Sequence, residues 1–100
     1  MSYYECHITM MTSEDISKHD IQQVVESYQW KFSAIDGDPI LGDGVKCYAT
    51  MHYAAKQTVQ DVIQKVKSLS KFISMHGITV IRDKVELVLY DTKQVNTEAA

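Results

Sequence analysis

The sequence predicts an α+β domain of ferredoxin-like topology, βαββαβ, and three observations predict it. Four stretches alternate apolar and polar residues with a period of two, and two others repeat apolar residues at helical spacing. These stretches run strand, helix, strand, strand, helix, strand, which is the split βαβ order. The 100 residues suffice for one compact domain, expected over 1–91, followed by a polar, aperiodic tail over 92–100.

The first strand is Tyr3 to Met11, where Tyr4, Cys6, Ile8 and Met10 alternate with Tyr3, Glu5, His7 and Thr9. Thr12-Ser13-Glu14-Asp15 breaks that pattern. Ser17 with Asp20 then makes an N-cap pair that approximates a capping box. Ile21, Val24, Val25 and Tyr28 recur at helical spacing, so an amphipathic helix is expected to end near Gln29. Alternation resumes over Trp30 to Asp36 and again over Val45 to Tyr53. Gly37-Asp38-Pro39 and Gly42-Asp43-Gly44 lie between them, so the two runs form a hairpin with a long loop.

Thr58 with Asp61 is the second N-cap pair, and Val59, Val62, Ile63, Val66, Leu69 and Ile73 follow at a helical period. Lys65, Lys67 and Lys71 are expected near the negative end of this helix, and Gly77 at its left-handed cap. Ile78 to Tyr90 is the last strand. Ile78 and Val80 suit one face, but Val85, Leu87 and Leu89 have the opposite parity, which predicts a bulge around Arg82-Asp83. Right-handed crossovers put both helices on one face of a four-stranded antiparallel sheet in order 4-1-3-2. The first and third strands are expected to be parallel neighbours at its centre.

Composition narrows the function. Ten basic against 13 acidic residues give a net charge of −3, which argues against general nucleic-acid binding, because that affinity comes largely from Lys and Arg on phosphates. Arg82 is the one arginine. Apolar runs fall well short of the ~20 residues of a membrane span. Glu5 and His7 interrupt any N-terminal signal pattern. Cys6 and Cys47, both inward and without CxxC spacing, read as free thiols of a cytoplasmic protein.

With the helices on one side, the other sheet face carries Glu5, His7 and Thr9 from the first strand. Lys46, Tyr48, Thr50 and His52 join from the third, and Arg82, Lys84 and Glu86 from the fourth. Such a set suits a small anionic ligand or a protein partner, bound by Glu5, Thr9, Tyr48, Thr50, Arg82, Lys84 and Glu86 alongside the two histidines. The alternative is acid–base catalysis, with His7 accepting a proton and His52 donating one. A third use is purely structural: a homodimer that buries this face or an edge strand, with Tyr48, Val88 and Tyr90 as apolar area. Glu5 with Lys84, or Lys46 with Glu86, would be cross-strand charge pairs that keep the sheet soluble.

Glu5, His7, His52 and Glu86 are acceptable metal ligands, but no local metal spacing joins them, and no metal or cofactor is expected. Nucleotide and acyl-transfer motifs are missing from the sequence. Asp36 to Asp43 imitates a calcium loop but has Ile40 where an oxygen ligand belongs, so it reads as a turn.

Two resemblances follow from these residues. His7-Ile8-Thr9 resembles one copy of the His-x-Thr/Ser motif of the two-histidine phosphoesterases. That likeness implies cleavage of a phosphodiester by His7 and His52. The chain departs from the pattern at the second copy, since Thr50-Met51-His52 is reversed and His76 to Thr79 has another spacing. The stretch Tyr3-Tyr4-Glu5-Cys6-His7-Ile8-Thr9, with Val80 to Glu86 and Tyr90-Asp91-Thr92, resembles a set of small uncharacterised proteins of bacteria and their phages. It implies that Glu5, His7, Thr9, Arg82, Lys84 and Glu86 are positions where such proteins look alike, and it brings no established activity.

Overall fold

The computed structural model describes residues 2–40 and 44–89, with side chains described over 2–35 and 44–89. In chain order the elements are β1 (Tyr3–Met11), α1 (Lys18–Ser27), β2 (Lys31–Ile40), β3 (Gly44–Ala54), α2 (Val59–Met75) and β4 (Thr79–Val88). The four strands form one sheet in the order β2-β3-β1-β4, which is 4-1-3-2 read from the opposite edge. This is the α+β ferredoxin-like arrangement. The tail over 92–100, Tyr90 and the side chains of the Asp36 to Asp43 turn lie outside the described residues.

Both helices start where the sequence marks a cap. The Ser17 hydroxyl accepts from the Asp20 amide at 3.2 Å, and the Asp20 carboxylate accepts from the Ser17 amide at 2.9 Å, a reciprocal capping box. Thr58 accepts from the Asp61 amide at 3.1 Å. α2 is followed by Gly77 at φ 82°, the left-handed residue expected there. α1 stops at Ser27, two residues early, and the turn into β2 is made by Gln29 at φ 67°, with no glycine to announce it. The last turn of α2 contains no basic residue. Lys65, Lys67 and Lys71 therefore lie short of the carbonyl end, beyond the one-turn reach of the helix dipole.

Ile21 and Val25 of α1 and Val62, Val66, Leu69 and Ile73 of α2 share one core with Cys6, Ile8, Met10, Cys47 and Ala49 of the central strands. Both helices thus cover the same sheet face, and the opposite parity is left uncovered by them. Ser70 of α2 donates to Asp83 of β4 at 2.9 Å, fastening the helix to the edge strand with a polar link.

Three details correct the expectation. β1 and β3 are antiparallel, pairing Glu5 with His52, His7 with Thr50 and Thr9 with Tyr48. The α1 crossover returns β2 along the direction of β1, and the hairpin then reverses β3, so the central pair must oppose one another. The bulge of β4 falls at Ile81: Thr9 pairs with Arg82, but Met10 pairs with Val80. Finally, β2 runs through Gly37-Asp38-Pro39 to Ile40, with a register shift between Ala34 and Pro39. An edge strand tolerates proline because the amide that Pro lacks faces outward, away from the ladder. No helix among the described residues is long and apolar enough to cross a membrane.

Candidate functional site

Alternation along β1 puts Glu5, His7 and Thr9 on the uncovered face. Antiparallel register then fixes what stands beside each: His52 and Glu86 flank Glu5, Thr50 and Lys84 flank His7, and Tyr48 and Arg82 flank Thr9. Because the bulge at Ile81 precedes Arg82, the parity of β4 is already set when it passes this face. Arg82, Lys84 and Glu86 all share it.

A hydrogen-bonded chain crosses the strands. The Glu5 carboxylate accepts from Nε2 of His7 at 2.7 Å through one oxygen and from Nε2 of His52 at 3.1 Å through the other. A carboxylate can only accept, so each Nε2 carries a proton. In the neutral His7 ring, Nδ1 is left as an acceptor, and the Thr50 hydroxyl donates to it at 3.2 Å. Tyr3, buried on the same face, meets the His52 ring edge-on, with centroids 5.2 Å apart. The order is Thr50, His7, Glu5, His52, Tyr3.

The charges are balanced locally. Glu5 stands directly opposite Glu86, a repulsive cross-strand pair if left bare. The hydrogen bonds from His7 and then His52 hold the Glu5 carboxyl below its usual range, against a smaller opposing effect of burial. Glu86 is held down by Lys84, whose ammonium lies 2.6 Å away along its own strand. The cross-strand pairs expected between Glu5 and Lys84 and between Lys46 and Glu86 do not form. Glu5 takes the histidines, and Lys46 stands opposite Met11, at the far end of β1 from Glu86.

Beside this chain lies a concavity of about 450 Å³. His7 and Thr9 line it from β1, Tyr48 and Thr50 from β3, Arg82 and Lys84 from β4, and Ser33 and Ile35 from β2. Six of the nine expected site residues therefore meet in one hollow. His52, Glu5 and Glu86 do not line it: His52 lies behind Glu5, and both of its companions are carboxylates turned to other partners. Arg82 is exposed and has no ion pair among the described residues.

Ser33 and Ile35 were missed as site residues, although β2 alternates and order 4-1-3-2 places it beside β3. Ser33 pairs with Tyr48 directly. Tyr3 was missed because a strand-end tyrosine carries no signal that it will back a histidine.

No group of three or more His, Cys, Asp or Glu among the described residues is placed to hold a metal ion. The chain matches no protein-family model, no curated protein and no solved structure.

Proposed function

We propose that this protein is a small binding module whose open sheet face takes a compact anion, a phosphate or carboxylate group, in the concavity between β2 and β4. The observation that carries this reading is Arg82. Arg82 lines this hollow with Thr9, Ser33 and Tyr48, which carry hydroxyls, and with Thr50, whose hydroxyl is given to His7; the arginine has no carboxylate partner among the described residues. Guanidinium donors and hydroxyls are the groups that grip a planar or tetrahedral oxyanion. Neither Glu5 nor Glu86 lines the hollow: the Glu5 oxygens accept from His7 and His52, and Glu86 is paired with Lys84. A paired base and acid, His7 with His52, draws less support, because the two rings converge on one carboxylate and only His7 reaches the hollow.

We place the module in the cytoplasm, where Cys6 and Cys47, both buried and unpaired, remain thiols. A homodimer fits through β4, an edge strand that exposes Ile81 and Leu87.

Calorimetric titration with inorganic phosphate tests the anion site. A charged hydrogen bond contributes about 1.5–3 kcal/mol, so Arg82→Ala is expected to weaken binding roughly 10–100-fold. Binding that is unchanged in Arg82→Ala, or no binding to the wild type, would contradict the proposal.

A further inference from the structure

The hydroxyl of Thr50, the imidazole of His7 and the carboxylate of Glu5 stand in series, in the order nucleophile, base, orienting acid. We propose that this series makes Thr50 a nucleophile toward a phosphate ester held in the concavity. The inference rests on the anion-binding reading and adds a reaction to it.

Geometry supports each link. The Thr50 hydroxyl has an imidazole nitrogen as its acceptor, so its proton is already directed at a base. Their separation of 3.2 Å is at the outer end of the ~2.6–3.2 Å range in which proton transfer is prepared, and such contacts tighten on substrate binding. Glu5, at 2.7 Å, fixes the His7 tautomer that leaves Nδ1 free to accept. His52 holds the second Glu5 oxygen, and buried Tyr3 backs His52, so the orienting acid is itself braced. Solubility of a sheet face demands no such ordered series. Thr50 and His7 line the same hollow as Arg82 and as Lys84, which is paired with Glu86, so cationic side chains border the place where a phosphoryl group would be held.

The reaction balances with water as the only co-reactant. Thr50 Oγ1 bonds to phosphorus as the bond from phosphorus to the ester oxygen breaks. The hydroxyl proton passes to His7 Nδ1 and then to the departing alkoxide, which leaves as an alcohol. Water attacks the phosphothreonine, giving a proton to His7 Nδ1, and Thr50 recovers that proton as phosphate is released. Glu5 is a positioning residue throughout.

The full chain incubated with p-nitrophenyl phosphate provides the test, followed by nitrophenolate release and by intact-mass analysis after rapid quenching. The expected result is steady release together with a phosphoryl adduct that fragmentation places on Thr50. Thr50→Val, which keeps the β-branched shape, loses both, while Thr50→Ser retains both. His7→Ala slows release by ~10²–10⁴-fold. Glu5→Gln lowers kcat and leaves KM nearly unchanged, a split that a merely structural role would not produce. Phosphate binding to the wild type, read by calorimetry, is a separate arm. Binding without release or adduct overturns the nucleophile and leaves the anion site standing. Release that survives Thr50→Val also overturns it. Absence of both binding and release overturns the two readings together.

Discussion

Glu5 gathers more of the local chemistry than any other residue of the open face, and its titration should report on the network. Its folded-state carboxyl is depressed by the hydrogen bonds from His7 and His52. A depressed carboxyl contributes stability above its unfolded value, about 4.3 for glutamate, and that contribution is lost as pH falls through the folded value. The wild type should therefore lose thermal stability more steeply than Glu5→Gln as pH is lowered through this region. Parallel stability curves for the two proteins would contradict the network. Cys6 is the second residue with a clear expectation. Burial, with a smaller push from the Glu5 charge, raises its thiol to about 11, and burial raises Cys47 in the same direction. The reactive species is the thiolate. Both cysteines should resist iodoacetamide at neutral pH in the native chain and react once it is unfolded. Rapid native labelling would show that the core opens.

At the scale of elements, the parts whose cause is local were legible and those set by neighbours were not. Ser17 with Asp20 and Thr58 with Asp61 announce helix starts because the capping bonds close within four residues. Gly77 announces a helix end because only glycine enters the left-handed region without strain. A Cβ built there meets nothing within 4 Å, so the cost of Gly77→Ala comes from the backbone alone. It should destabilise the protein by about 1–2 kcal/mol in denaturant unfolding. A neutral result would mean that the turn relaxes. Gln29 takes the same conformation without glycine, held by the Trp30 amide bonding to the Val25 carbonyl at 3.3 Å, a constraint that residue type does not show. The switch of parity in β4 revealed that a bulge exists. Its position at Ile81 depends on pairing with Thr9 and Met10 of β1, and a single strand cannot display that. β2 could not be traced through Pro39 for the same reason, since tolerance of proline depends on which edge of the strand is free.

Over the whole molecule, the order of elements and the parity of each strand were enough to place Glu5, His7, Thr9, Tyr48, Thr50, Arg82 and Lys84 on one face. The direction of β1 against β3 was misjudged, yet the face survived, because alternation is independent of direction. What alternation could not decide is how the face divides. Antiparallel register sends Glu5 to two histidines and leaves Arg82 beside a hollow, a partition that depends on which residues stand directly opposite. A second hollow, about 300 Å³ between the end of α1 and α2, is lined by Trp30, Leu69 and the stacked rings of Tyr28 and Phe72, and it offers Lys65 as its cation. The two hollows lie on different elements, so one measurement separates them. Phosphate titrated into the isotope-labelled chain and followed by amide chemical shifts should move Thr9, Tyr48, Thr50, Arg82 and Lys84 together, along one saturating curve. Shifts confined to Tyr28, Trp30, Leu69 and Phe72, or no saturable shift at all, would contradict an anion site on the open face of the sheet.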